Sequence, residues 1–202
     1  MVKYFSRKGA VLKVTDLRAA DLLKDSIDQL KDFSIQYTLG EHRKEDFEWA
    51  DIIVRNPAIK RDNEFLKIAR DNGTQILMEM ALFHQLYKGF KIGITGTRGK
   101  STTTSLIYEF VKEESLKNKN FMFYNRDVLL AGNIGKNAMV ELENLNDKSV
   151  SVLELSSFQL DGMGENKVSP NLAVVTNMYP DHLNWHLDMD DYIYTKQNIF
   201  RY

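Results

Sequence analysis

The sequence predicts an α/β protein built of parallel sheets wrapped by helices, in two units that meet near residue 88. Three observations carry this. Short β-branched runs alternate with amphipathic helical stretches. The alternation restarts after Lys88-Gly89. A strand-like run at residues 90–95 passes directly into a glycine-rich loop and then a helix.

The elements follow in order. Residues 2–8 read as the tail of a helix and 11–16 as a strand. Residues 19–33 are helical, with Leu22, Leu23, Ile27 and Leu30 on one stripe. Residues 51–54 form a short buried strand ended by Asn56-Pro57. Residues 63–72 form a helix closed by Gly73. A strand at 75–77 and a helix at 79–86 complete the first unit. The second opens with the strand at 90–95 and a helix at 101–114, whose Leu106, Ile107, Phe110 and Val111 share one face. Strands follow near 121–123, 149–154 and 172–177, and residues 190–202 are helical. The first unit (1–88) reads as a partial Rossmann-like domain. The second (89–202) reads as the first half of a P-loop ATPase-type domain with a parallel sheet. No glycine turn precedes Gly9, and Arg201-Tyr202 stops in mid-helix, so a piece of a longer chain is expected.

Composition excludes several classes. The 202 residues include no cysteine, which removes disulfides, thiolate metal sites and a cysteine nucleophile and suits a reducing compartment. A net charge of -1 marks no polyanion binder, so nucleic acid is not an expected partner and any anion site is local. No apolar run approaches the ~20 residues of a membrane span, and the first ten residues lack a signal region. The expectation is a cytoplasmic protein without membrane insertion, and nothing in the chain calls for a protein partner.

The loop Gly96-Thr97-Arg98-Gly99-Lys100-Ser101 carries the sharpest chemistry. Its glycines let the backbone approach phosphates, and successive N–H groups at a helix start supply positive potential. Lys100 is a point charge for the β- and γ-phosphates, and the Ser101 hydroxyl can ligate Mg²⁺. The eight-residue form of this pattern has glycine where Ile94 stands, so only the shorter form is present. The competing reading is a glycine-rich turn with a solvated lysine.

Two later strands end in polar clusters: Glu154 with Ser156-Ser157-Phe158-Gln159, and Asn177 with Asp181-His182. In an open parallel sheet, ligands bind beyond the carboxyl ends of the strands, so Lys100, Ser101, Glu154 and His182 are expected at one edge. A carboxylate there can hold Mg²⁺, and an imidazole can take part, although Mg²⁺ prefers oxygen. Each residue taken alone also fits a plain strand-end or turn role. Lys196 lies four after Tyr192 and four before Phe200, on an inward stripe. It either snorkels or points into a site. Asn133, between Gly132 and Gly135, suits a ligand contact or a simple turn.

Taken together, Gly96-Thr-Arg-Gly-Lys-Ser-Thr-Thr103, Gly132-Asn-Ile-Gly135, Leu153-Glu-Leu-Ser-Ser-Phe-Gln-Leu160 and Thr176-Asn-Met-Tyr-Pro-Asp-His-Leu183 resemble the Mur ligases of peptidoglycan synthesis. The Glu154–Leu160 string resembles their D-glutamate-adding branch. The resemblance implies a three-domain enzyme in which the first domain binds the UDP part of the substrate, the second ATP, and the third the amino acid. It implies that a carboxylate of UDP-N-acetylmuramoyl-L-alanine attacks ATP to form an acyl phosphate, which the amine of D-glutamate then attacks.

By position, Gly96, Thr97, Arg98, Gly99, Lys100, Ser101, Thr102 and Thr103 would bind ATP. Ser101 and Glu154 would hold one Mg²⁺, and His182 with Lys196 a second, Lys196 being carbamylated. Lys100, His182 and Lys196 would be catalytic. Asn133, Ser156 and His182 would contact the muramoyl substrate. Asp16, Leu17 and Arg18 match an Asp-Thr-Arg that contacts uridine, with Leu17 departing at the hydroxyl position, and Ala58 stands where the family has glycine. Two alternatives stay open: a folylpolyglutamate-synthetase-like ligase, and a non-catalytic nucleotide-binding fragment. The chain alone is expected to be inactive.

Overall fold

Residues 1–202 are described by a computed structural model. The chain divides into two units, Met1–Arg55 with Ile59–Ile76, and Asn56–Ala58 with Leu77–Tyr202. The division falls earlier than the Lys88-Gly89 break, because the helix at 79–86 buries Met80, Ala81, Leu82 and Phe83 and packs in the second unit.

The first unit runs α1 (Val2–Arg7), β1 (Leu12–Asp16), a 3₁₀ turn (Ala20–Leu23), α2 (Lys24–Asp28), β2 (Ile35–Leu39), α3 (Lys44–Trp49), β3 (Ile52–Val54), α4 (Glu64–Asp71) and β4 (Gln75–Leu77). β1 and β2 pair in parallel, from Leu12 opposite Ile35 to Asp16 opposite Leu39. β3 and β4 form a separate pair. Phe47, Leu66 and Ala69 make the buried core, with Ile53, Ile68 and Ile76 against it. Asn63 starts α4 by accepting hydrogen bonds from the N–H groups of Phe65 and Leu66 at 3.0 and 3.3 Å.

Three expectations for this unit change. The long helix at 19–33 is a 3₁₀ turn plus a five-residue helix. Of its stripe Leu23 is buried while Leu22 is exposed, and without a packed face a short helix does not propagate. The strand at 51–54 is not buried, since Ile52 and Val54 face outward. β2 and α3 stand where the sequence reading placed no element.

The second unit runs α5 (Glu79–Leu86), β5 (Phe90–Thr95), α6 (Lys100–Lys117), β6 (Val128–Gly132), α7 (Ala138–Glu141), a 3₁₀ turn (Leu142–Asn144), β7 (Val150–Glu154), α8 (Ser157–Glu165), β8 (Leu172–Val175), α9 (Met189–Lys196) and a 3₁₀ turn (Gln197–Ile199). Its sheet has the order β6-β7-β5-β8, all parallel. β5 comes first in the chain yet lies between β7 and β8. The chain therefore leaves β5 on both sides, which opens a crevice at its carboxyl end. The core is Ile92, Ile94, Val111, Phe123, Val150 and Val152.

Two expectations change here as well. Residues 121–123 are turn, not strand: Phe123 plugs the core against Phe90 at 4.9 Å, and the edge strand is β6. The buried stripe of α6 is Thr104, Val111 and Ser115, whereas Leu106 and Phe110 are exposed. Thr104 can be buried because its hydroxyl donates to the Lys100 carbonyl at 2.8 Å. No helix is long and apolar enough to cross a membrane.

Candidate active site

β5 delivers the phosphate loop to the carboxyl edge of the sheet. Gly96 has φ +146, and a Cβ there would lie 1.9 Å from Thr176 Oγ1. Gly99, at φ +78, is the N-cap of α6, and no side chain caps this helix end. The first-turn N–H groups of an eighteen-residue helix thus keep their donors and its positive dipole end for a ligand. The loop is braced from β8: Thr97 N donates to Asn177 O, Arg98 N to Asn177 Oδ1, and Thr176 Oγ1 to Arg98 O, at 2.9, 2.9 and 2.7 Å.

Lys100 folds back to donate to Thr97 O at 2.9 Å. Ser101, Thr102 and Arg98 are exposed beside it, and Thr103 is half-buried. The Thr97 side chain points inward as a hub. Its Oγ1 accepts from Tyr179 N at 2.9 Å, donates to Tyr179 O at 3.1 Å, and lies 3.0 Å from the Tyr192 hydroxyl.

Lys196 is 2% exposed, which excludes the snorkelling alternative. Its Nζ donates to Thr95 Oγ1 at 3.2 Å and Gly96 O at 3.0 Å, and lies 4.9 Å from the centre of the Tyr192 ring. Burial, and then the charge of Lys100, lower its pKa to about 8, against a smaller upward pull from Asp181. Phe200 does not share its stripe. α9 ends at Lys196, and the 3₁₀ turn rotates Phe200 out to solvent.

Glu154, at the end of β7, is buried. Oε1 accepts from Asn133 Nδ2 at 2.9 Å, which joins the end of β6 to the end of β7. Oε2 is buried without a hydrogen-bond partner. A buried carboxylate oxygen left unpaired is costly, and a cation would satisfy it. The Ser156 hydroxyl is engaged locally. It caps α8 by accepting from Gln159 N at 3.3 Å, and Gln159 Oε1 accepts from Ser156 N at 3.0 Å.

His182 sits at φ +54, its side chain about half exposed, with Nε2 3.8 Å from Asp181 Oδ2 and the ring 5.0 Å from Phe158. The sequence reading passed over a second histidine. His186 is buried, with Nδ1 3.2 Å from Asp191 Oδ2 and Nε2 3.0 Å from Ser157 Oγ. Burial lowers its pKa, and hydrogen bonding to Asp191 partly restores it. The Thr97–Tyr192 contact was missed too. Neither had a local signal, because Thr97 and Tyr192, like Ser157 and His186, are far apart in the chain.

In the first unit, Asp16 and Arg18 form a bidentate pair, with Nε to Oδ1 at 3.0 Å and Nη2 to Oδ2 at 2.8 Å. The Arg18 side chain, and then its backbone N–H, hold the Asp16 pKa down at about 2. Both residues line a cavity of about 180 Å³ with Val14, Leu23, Ile27 and Tyr37, and the exposed Leu17 side chain is not part of it. The Leu23, Ile27 and Leu30 stripe thus faces this cavity.

The sequence pattern of the Mur ligase middle domain matches residues 94–202, and that of the Mur ligase MurD-like N-terminal domain matches residues 1–78. Curated relatives are similar along the whole chain. The UDP-N-acetylmuramoylalanine--D-glutamate ligase of Roseiflexus sp. (strain RS-1) is 41% identical over 202 residues, covering 100% of this chain and 41% of the relative. The ligase of the same name from Borreliella burgdorferi (strain ZS7) is 40% identical over 200 residues, covering 98% of this chain and 41% of the relative. The chain therefore spans about two fifths of the length of these relatives. Among solved structures, the UDP-N-acetylmuramate:L-alanyl-gamma-D-glutamyl-meso-diaminopimelate ligase from Neisseria meningitides shares the fold. Its TM-score is 0.53 at 16% identity, over 97% of this chain and 61% of that one.

Proposed function

Because the chain belongs to the Mur ligase family, we propose that it is the UDP-substrate- and ATP-binding part of a cytoplasmic, ATP-dependent ligase. The reaction would join D-glutamate to UDP-N-acetylmuramoyl-L-alanine through an acyl phosphate. The first unit would bind the UDP part at the Asp16–Arg18 cavity, and the second unit would bind ATP. The observation that carries this reading is the carboxyl edge of the sheet. An uncapped helix end with Lys100, a buried Glu154 with an unpaired oxygen, and a buried Lys196 are brought to one edge of the parallel sheet.

ATP would bind along Gly96–Thr103, where the loop and first-turn N–H groups offer donors to phosphate oxygens. Lys100 would swing from Thr97 O to the transferring phosphoryl group and offset its charge. Ser101 and Glu154 would hold one Mg²⁺, and His182 with Lys196 a second. Bound there, the metal ions would supply charge neutralisation for phosphoryl transfer. Asn133, already on Glu154 Oε1, would meet the substrate at the mouth of the site, as would Ser156 and His182.

Carbamylation of Lys196 fits its chemistry. Only the neutral amine attacks carbon dioxide, and the product is an anionic oxygen ligand with one proton released. At pH 7.5 a lysine of pKa about 8 is roughly one quarter neutral, against about one in a thousand at its ordinary value.

The test is phosphate release by the enzyme that contains this segment, supplied with ATP, UDP-N-acetylmuramoyl-L-alanine and D-glutamate. Turnover with that pair supports the reading. Turnover with folate and glutamate instead would establish the folylpolyglutamate-type alternative. The 202-residue chain by itself should bind Mg·ATP without turnover, and steady ligase activity from it would contradict that part.

A further inference from the structure

His186 has no role in the site described so far. Its side chain is fully buried, and the ring is enclosed by aromatic neighbours. It lies nearly parallel to Phe158, with centroids 6.2 Å apart and planes 18° apart, and meets Trp185 and Tyr192 edge-on at 4.7 and 5.2 Å. Asp191 as a carboxylate can only accept, so Nδ1 carries the proton and Nε2 accepts from the Ser157 hydroxyl. Both ring nitrogens are thereby satisfied.

Three segments meet on this ring. Ser157 opens α8, directly after the strand that ends in Glu154. Asp191 lies in the first turn of α9, the helix that ends in Lys196. His186 itself ends a helical turn whose N–H groups, from Trp185 and His186, both donate to His182 O at 2.9 and 3.0 Å. His182 has φ +54, a left-handed conformation that is uncommon outside glycine, although histidine adopts it more readily than most residues. Phe158, beside the His186 ring, also packs on the His182 ring.

We propose that His186 is a positioning residue: by bridging Ser157 and Asp191 it holds the His182 turn in register with Glu154 and Lys196, and so forms the second divalent-cation position. The proposal rests on the two-metal reading above. Loss of a group that orients a metal ligand typically weakens metal binding by ~10–100-fold.

The test uses the 202-residue chain with a non-hydrolysable ATP analogue and Mn²⁺ as the probe, with free Mn²⁺ counted by electron paramagnetic resonance. Wild type should take up two Mn²⁺, one with the nucleotide and one weaker. Ser157→Ala removes one link with little change in packing. It should leave nucleotide affinity and the first Mn²⁺ within ~2-fold and weaken the second ~10-fold or more. His186→Ala should do the same more severely, and Asp191→Asn, which keeps an acceptor, less. In a His182→Ala background, adding Ser157→Ala should change nothing further.

An unchanged second Mn²⁺ in Ser157→Ala overturns the proposal. So does equal weakening of both Mn²⁺ ions and nucleotide together with a lower Tm, because that is a merely structural role. A wild-type chain that binds the nucleotide with a single Mn²⁺ refutes the two-metal reading itself, and the inference falls with it.

Discussion

Lys196→Met should make the second unit more stable at neutral pH, even though it removes a residue proposed for the active site. Lys196 is 2% exposed, and its pKa falls from 10.5 to about 8 on folding. A depressed lysine pKa means that the unfolded chain holds the proton more tightly than the folded one. Between pH 8 and 10.5 the unfolded state therefore binds more protons, and stability rises with pH. Below pH 8 the whole penalty applies, about 3 kcal/mol for a shift of this size.

Methionine removes that penalty and forfeits two donated hydrogen bonds, to Thr95 Oγ1 and Gly96 O, at about 1 kcal/mol each. Thr95 Oγ1 keeps its own bond to Leu155 O. The net expectation is a variant about 1–2 kcal/mol more stable at pH 7. By pH 9.5 about 2 kcal/mol of the wild-type penalty is relieved, so the advantage should vanish or reverse. The assay is urea unfolding in carbon dioxide-free buffer at both pH values. Trp185 fluorescence reports it in a Trp49→Phe background, since the chain has two tryptophans. A variant less stable than wild type at pH 7, or a difference that does not change with pH, would show that Lys196 is not held as a strained buried ammonium.

Four further outcomes follow from the structure. Gly96→Ala places a Cβ 1.9 Å from Thr176 Oγ1, so it should abolish nucleotide binding in a titration and cost about 2–4 kcal/mol. Gly99→Ala meets open space at φ +78 and should cost only about 1 kcal/mol in the same unfolding measurement. Glu154→Gln keeps an acceptor for Asn133 but removes the charge. Calorimetric titration should show Mg²⁺ affinity in the nucleotide complex falling ~10-fold or more, with Tm unchanged or raised. In the first unit, Asp16 has its pKa depressed from 3.8 to about 2, so its pairing with Arg18 stabilises above pH 3.8 and is lost as pH falls through about 2. Arg18 is mostly exposed, so solvent screening keeps the effect small, and Asp16→Asn should flatten the acid limb of unit stability only slightly.

The elements that were legible in the sequence are those whose signal is local. β5, the loop and α6 could be read because a β-branched strand, two glycines and a helix start are consecutive residues. Asn63 and Gly73 framed α4 for the same reason. β2 lies in Ile35-Gln36-Tyr37-Thr38-Leu39, which alternates apolar and polar residues but is only five residues long, and its parallel register against β1 is what makes it a strand. The misread strand at 121–123 shows the converse. Its aromatics are apolar because Phe123 fills the core from a turn, and residue type alone does not separate the two cases. The α6 stripe failed similarly. A threonine and a serine sit on its buried face once Thr104 and Ser115 can each bond a backbone carbonyl.

The sequence by itself determined the alternating α/β class and the glycine-rich loop, and it singled out Glu154, His182 and Lys196 as candidates, because those depend on residue type and spacing along the chain. Tertiary structure alone decided that Lys196 is a buried, charge-depressed amine and not a snorkelling one. It alone left one Glu154 oxygen unpaired and engaged the Ser156 hydroxyl as a helix cap. The Thr97–Tyr192 and Ser157–His186–Asp191 contacts likewise exist only once the sheet order β6-β7-β5-β8 is formed. Burial and hydrogen-bond partnership are properties of neighbours in space, and a parallel sheet takes those neighbours from segments far apart in the chain.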